Sequence, residues 1–209
     1  MRKSVILATL MMAGINIVQA QDAKPEDTEV YTPVPKVVST PELTIAPPSD
    51  AIILFDGKNL DQWVMTEDRS KPAAWTVANK VFTVNKKSGN IETKESFGNY
   101  QLHLEWRVPA NITGKGQGRG NSGLFLASIG KGDAGYELQI LDSYKNDTYT
   151  NGQAASIYKQ FVPLANPTRK PGEWNSYDVI WTAPTFNEDK TVKTPARVTV
   201  LFNGVLVQD

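Results

Sequence analysis

The chain has 209 residues, with no cysteine, a single histidine and no excess of charge of either sign. Without cysteine it forms no disulfide and no thiolate metal site, and it cannot carry the modified cysteine of a bacterial lipoprotein. One histidine, His103, argues against a multi-histidine zinc centre and against a serine–histidine triad with a histidine to spare. A formal net charge of +0 removes the electrostatic reason to expect nucleic acid or an anionic membrane as partner. Long apolar runs are scarce too. The one at residues 5–18 is interrupted by Thr9, Gly14 and Asn16, is too short for a comfortable membrane span, and has no successor.

That run has the layout of an export signal. Arg2 and Lys3 precede it, and Val18-Gln19-Ala20 supplies a small-x-small cleavage site. Residues 1–20 are therefore expected to be a signal peptide, and the mature chain to be exported to a periplasm or cell surface without a membrane span. Residues 21–50 carry Pro25, Pro33, Pro35, Pro41, Pro47 and Pro48, which favour extended, weakly packed backbone. They read as a linker or as a strap lying on the domain. Residues 51–209 read as one globular domain, long enough to bury roughly 70% of its unfolded surface.

The domain has the pattern of an all-β protein. Short strands are expected at residues 52–55, ended by Asp56-Gly57, and at 75–77 and 81–84, which flank an Ala78-Asn79-Lys80 hairpin. Residues 101–108 alternate cleanly, with Leu102, Leu104, Trp106 and Val108 on one face and Gln101, His103, Glu105 and Arg107 on the other. Further strands are expected at 123–128, 136–141, 177–181 and 197–202, the last closing through Asn203-Gly204 into 205–207. Many short strands without amphipathic helices between them indicate a sandwich or jelly roll.

Two polar strand faces carry candidate chemistry. In Tyr136-Glu137-Leu138-Gln139-Ile140-Leu141-Asp142, Glu137 and Gln139 fall on one side, about 7 Å apart along the strand. Gln139 and Asp142 add convergent polar groups to Glu137. If His103, Glu105 and Arg107 line the same concave sheet, the site has two carboxylates, an imidazole and a guanidinium, and paired carboxylates can divide acid and base roles. The competing reading is that such alternation is the ordinary solvent face of an antiparallel sheet. The stretch from Gly114 to Gly123 resembles a phosphate cradle only superficially, because it lacks the Lys-Ser/Thr ending and is followed by a strand. It reads as a flexible loop over a site, with Asn121 and Ser122 at its rigid end. Of five tryptophans, Trp106 and Trp181 fit the core, whereas Trp174 sits at a loop–strand junction where a sugar face can stack. Tyr158 and Lys159, with Asn151-Gly152-Gln153, lie in loops between strands.

An ordered series of motifs carries a resemblance. Leu54-Phe55-Asp56-Gly57-Lys58-Asn59-Leu60 with Trp63, Gly89-Asn90-Ile91-Glu92-Thr93, Asn99-Tyr100-Gln101-Leu102 with Glu105-Trp106-Arg107, Gly120-Asn121-Ser122-Gly123, the 136–142 segment, Ile157-Tyr158, Gly172-Glu173-Trp174-Asn175 and Asn203-Gly204-Val205 together resemble the 3-keto-disaccharide hydrolase domain family across residues 52–209. The resemblance implies a concanavalin A-like jelly-roll β-sandwich and a role in bacterial carbohydrate breakdown. Family members continue past the Asn-Gly-Val segment, so the sandwich is expected to lack its C-terminal closing strands.

The resemblance also implies a substrate, a 3-keto-disaccharide or other 3-keto-glycoside. Oxidation at C3 acidifies the C2 hydrogen, so a base can remove it, the C1 substituent can leave, and water can add back. Such chemistry needs a base near C2, a donor or cation at the ketone oxygen and an acid at the leaving oxygen. Glu137 or His103 stands as base, Arg107 or Lys159 as ketone stabiliser, and Glu105 or Glu137 as acid. Asn121, Gln139, Asp142, Tyr158 and Trp174 stand as substrate-binding residues. A divalent metal could polarise the ketone. The rival expectation is a non-catalytic carbohydrate-binding module on the same scaffold, since this fold serves lectins as well as enzymes.

Overall fold

Strict alternation of apolar and polar side chains builds the central sheet. A computed structural model describes residues 24–37, 47–128 and 134–209. The expected signal peptide, residues 1–20, lies outside the described residues. In chain order the strands are β1 (Lys36–Val37), β2 (Trp63–Met65), β3 (Thr76–Ala78), β4 (Val81–Thr83), β5 (Ile91–Thr93), β6 (Tyr100–Trp106), β7 (Ser122–Phe125), β8 (Glu137–Ile140), β9 (Ala165–Asn166), β10 (Asn175–Thr182), β11 (Thr185–Phe186), β12 (Val192–Thr194), β13 (Arg197–Phe202) and β14 (Val205–Gln208). Four short 3-10 turns complete the described residues, which hold no α-helix and no helix long and apolar enough to cross a membrane. The chain is an all-β sandwich.

The largest sheet runs β14-β13-β10-β6, antiparallel throughout. On its inner face stand Leu102, Leu104 and Trp106 of β6, Tyr177, Val179 and Trp181 of β10, and Val200 and Phe202 of β13. They pack against Leu138, Leu141, Ala154, Ala155 and Ile157. Each large side chain buried here contributes about 1.5–3 kcal/mol. Trp106, Tyr177 and Phe202 stack in mutual contact, with ring centroids 4.8–5.8 Å apart. The opposing layer is the β7–β8 hairpin, extended on its far side by residues 155–158. The Tyr177 hydroxyl crosses the core and donates to Gln139 O at 2.7 Å, fastening one layer to the other.

A smaller aromatic cluster of Phe55, Trp63, Trp75 and Phe82 gathers β2–β5 and β3–β4. The β3–β4 hairpin turns on Asn79 and Lys80, both at positive φ, as a two-residue turn matched to strand twist requires. Residues 52–55, expected as a strand, are not one. Their apolar run finds no partner strand among the described residues: Ile52 and Ile53 are exposed, Phe55 packs on Phe82, and Leu54 O accepts from Trp63 Nε1 at 2.7 Å.

Residues 24–37 of the proline-rich segment lie on the domain as a strap. β1 pairs in parallel with β9, and upstream of it Thr28 and Val30 bond the 150–151 turn.

Candidate functional site

The site is built on the face of β7–β8 that looks away from the core. Leu138 is fully buried in the core, so alternation sends Glu137 and Gln139 to the opposite face. Across one edge of β8, Leu138 pairs with Ile157. Tyr158 N–H donates to Glu137 O at 2.9 Å, and Gln139 N–H donates to Ser156 O at 3.0 Å. That register places Tyr158 beside Glu137 and Ser156 beside Gln139, on the same face. Across the other edge, Gly123 pairs with Gln139 and Phe125 with Glu137.

Gly123 makes room for the carboxylate. A Cβ at that position would lie 2.0 Å from Glu137 Oε1 and 2.7 Å from its Cδ, so Glu137 lies folded over bare backbone. Any side chain on Gly123 would push it out of that place.

Amide side chains surround the carboxylate strand. Gln117 Oε1 accepts from Gln139 Nε2 at 3.0 Å and from Asn121 Nδ2 at 3.2 Å. Gln117 Nε2 donates to Thr148 Oγ1 and to Gly152 O. Gly152 is a second close approach: a Cβ there would meet the Tyr149 ring at 2.0 Å. Gln139 Oε1, Gln153 Oε1 and Ser156 Oγ are buried without a hydrogen-bond partner among the described residues. An unsatisfied buried acceptor costs about 1–3 kcal/mol.

Aromatic hydroxyls and one ammonium close the other side. The Tyr149 and Tyr158 hydroxyls are 2.6 Å apart. Burial, and then the bond to Tyr158, raise the Tyr149 pKa above that of an ordinary tyrosine. Lys159 Nζ lies 5.4 Å from the Tyr149 ring centre and 5.9 Å from that of Tyr158. It donates to Pro25 O at 2.7 Å and stands 3.7 Å from Glu29 Oε1, both on the strap.

The structure therefore brings Glu137, Asn121, Tyr158 and Lys159 to one face, while Gln139, expected to contact substrate, is fully buried and bonds Gln117 instead. It separates them from His103 and Glu105, which corrects the expectation of one shared polar face. His103 and Glu105 alternate with the core residues Leu104 and Trp106, so they point outward from the far side of the other sheet. There His103 Nδ1 meets Asp178 Oδ1 at 2.6 Å, directly across from it on β10. Arg107 spreads its guanidinium over the half-exposed Trp174 ring, 4.7 Å from its centre.

Asp142 is likewise corrected. It is fully buried, and its Oδ2 lies 2.7 Å from Arg119 Nε, while Oδ1 accepts from Tyr144 N–H. It holds the glycine-rich loop instead of facing a ligand. The Gly116 backbone exchanges bonds with Asn146. With the Gln117 bonds, these contacts make the loop a pinned wall and not the flexible flap expected. Among the described residues no three His, Asp or Glu side chains are grouped so as to hold a metal ion. The donors described at this face are amide and phenol groups with the Glu137 carboxylate.

Gln117, Tyr149 and Ser156 carry no individual signal in the sequence. Gln117 sits in a glycine-rich stretch that reads as loose, and nothing local to Tyr149 shows that Gly152 leaves space for its ring.

Residues 50–209 match the family model described as the 3-keto-alpha-glucoside-1,2-lyase-like domain. A crystal structure of a candidate glycosyl hydrolase from Parabacteroides distasonis ATCC 8503 is similar at 50% identity and TM-score 0.74, over 95% of this chain and 80% of that one. A second candidate glycosyl hydrolase from the same organism shares the fold at 23% identity and TM-score 0.53, over 75% of this chain and 69% of that one. No curated protein matches the chain significantly.

Proposed function

The chain belongs to the 3-keto-alpha-glucoside-1,2-lyase-like domain family, and from that premise we propose that it cleaves 3-keto-disaccharides and related 3-keto-glycosides by elimination and water addition. Family and structural neighbours support a glycoside-acting hydrolase in general. The finer reading rests on one observation: the Glu137 carboxylate, laid over Gly123 with Tyr158 beside it and Lys159 next in sequence.

Glu137 takes the proton from C2. The C2–H electron pair moves into the ring to make a C2–C3 enolate, whose oxygen receives positive charge from the Lys159 ammonium or a hydrogen bond from the Tyr158 hydroxyl. The enolate then reforms the ketone while the C1–O bond breaks, and the protonated Glu137 passes its proton to the leaving oxygen. The product is a C1–C2 unsaturated 3-ketone. Water adds at C1, a proton returns to C2, and the balance is hydrolysis. Gln117 and Asn121 offer amides to ring hydroxyls, and the fully buried Gln139 holds Gln117 in place from the strand. His103 and Glu105 take no part. With the export signal read in residues 1–20, the reaction belongs to the periplasm or cell surface.

The test pairs a 3-keto-disaccharide with its unoxidised parent in deuterated water. Free sugar from the keto form alone, with deuterium at C2, is the expected result. Glu137→Gln should lower turnover by about 10²–10⁴-fold, the usual weight of a general base. Binding without turnover, indifferent to Glu137→Gln, would make this a carbohydrate-binding module instead.

A further inference from the structure

We propose that the strap preceding the family domain is part of the sugar site, with Tyr31 as a stacking platform for the leaving-group sugar and Glu29 as the residue that positions it. The family match begins at residue 50, so nothing in that match assigns these residues a role.

The strap is fastened where the site is. Val30 N–H donates to Asn151 Oδ1 at 3.0 Å, and Val30 O accepts from both the Thr150 backbone and its hydroxyl. Asn151 Nδ2 donates to Thr28 O at 2.9 Å. Asn151 O in turn accepts from Lys159 N–H at 2.8 Å. The strap therefore docks on the turn that also carries Gly152 and Gln153, one residue from the Tyr149 ring.

Between these anchors the strap presents side chains and not only backbone. Tyr31 packs edge-on against Tyr149 with centroids 6.3 Å apart, yet remains 59% exposed. Through Tyr149 it continues the aromatic row to Tyr158, the residue beside Glu137. Its hydroxyl donates to Glu29 Oε2 at 2.7 Å, and that bond is the main cause raising the Tyr31 pKa. The other Glu29 oxygen faces Lys159 Nζ at 3.7 Å. One carboxylate thus holds both an exposed aromatic ring and the ammonium proposed for the ketone oxygen. A strap that served only as a staple would need its backbone bonds alone; it would not need to hold a half-solvated ring in a fixed orientation. A disaccharide reaching out of the Glu137 face has a second ring to place, and an exposed aromatic face in line with the first is what pyranose C–H faces stack on.

The inference rests on the site proposed above, and the experiment separates the two. In the full chain, Tyr31→Ala, Tyr31→Phe and Glu29→Gln are compared for turnover of a 3-keto-disaccharide, for binding of the unoxidised disaccharide and of a monosaccharide by calorimetry, and for thermal unfolding. Tyr31→Ala should raise KM and weaken disaccharide binding about three- to tenfold, the weight of one aromatic stack, with kcat within about twofold and monosaccharide binding unmoved. Tyr31→Phe should restore most of the affinity. Glu29→Gln should shift KM in the same direction without lowering the melting temperature as a lost staple would. If Tyr31→Ala alters only the melting temperature, the strap is structural and the inference fails while the reaction stands. If the wild-type chain turns nothing over but loses disaccharide affinity with Tyr31→Ala, the platform stands and the reaction fails. A chain that neither cleaves nor binds either sugar overturns both.

Discussion

Gly123 and Glu137 share one space: the Cβ that any other residue would place at position 123 falls 2.0 Å from Glu137 Oε1. The carboxylate owes its position to an absent side chain two strand positions away. Gly123→Ala should therefore displace Glu137 while leaving the β7–β8 pairing in place. We expect turnover to fall by about 10²-fold, the scale set by misplacing a catalytic group by an ångström, with little change in the circular dichroism spectrum.

The Arg119–Asp142 pair is the second lever. Asp142 is fully buried, and removing one member of a buried pair strands the other charge, at about 3–5 kcal/mol. Asp142→Asn should lower the melting temperature by roughly 6–20 °C for a domain of this size. Replacing both residues with apolar partners should be milder. A substrate-binding role for Asp142 would instead raise KM and leave the melting temperature alone.

High pH should expose the core tyrosines. Burial raises the pKa of Tyr177 well above the ordinary value, raises that of Tyr149, and pushes that of Tyr100 up to about 12. Each phenol is neutral when protonated and holds its proton more tightly folded than unfolded. Their contribution to stability is thus complete below the ordinary tyrosine pKa of about 10 and is lost as pH climbs through the raised values. Absorbance at 295 nm should show these phenols ionising only together with the loss of near-ultraviolet circular dichroism. Smooth ionisation of all seven tyrosines near pH 10 in a folded chain would contradict their placement.

The outward pair of His103 and Asp178 gives a control. Both side chains are about two-fifths exposed, so the pair is worth at most about 1 kcal/mol. His103→Ala and Glu105→Gln should leave keto-sugar turnover within about twofold of wild type, and its pH profile unmoved between pH 5 and 8. A shift in that profile would bring the histidine back into the reaction.

Much of the sandwich was legible in the sequence because its strands are half buried. Alternation located β6, β8, β10 and β13 within a residue or two, and Asn79-Lys80 and Asn203-Gly204 marked real turns. Residues 52–55 misled for the complementary reason: an apolar run shows that side chains want burial, not that a partner strand exists. Within the site, alternation identifies a polar face but not which polar faces coincide. His103 with Glu105 and Glu137 with Gln139 are equally good patterns, and only the packing of Leu104 and Leu138 into one core sends them to opposite exteriors. Asp142 shows the limit from another side. Its partner Arg119 lies in a glycine-rich stretch with no periodicity, so a buried ion pair and a ligand-facing carboxylate look alike until the loop is placed.

The Tyr177 hydroxyl, holding the carbonyl of Gln139 from behind, has an evolutionary corollary. The depth of the reactive strand is set by the interior, while the 114–121 and 148–153 loops that frame it meet through Gln117 and are held besides by Asp142 and by the strap. Any exchange of either loop would have to keep a partner for Gln117, which ties both of them to Gln139 on that strand.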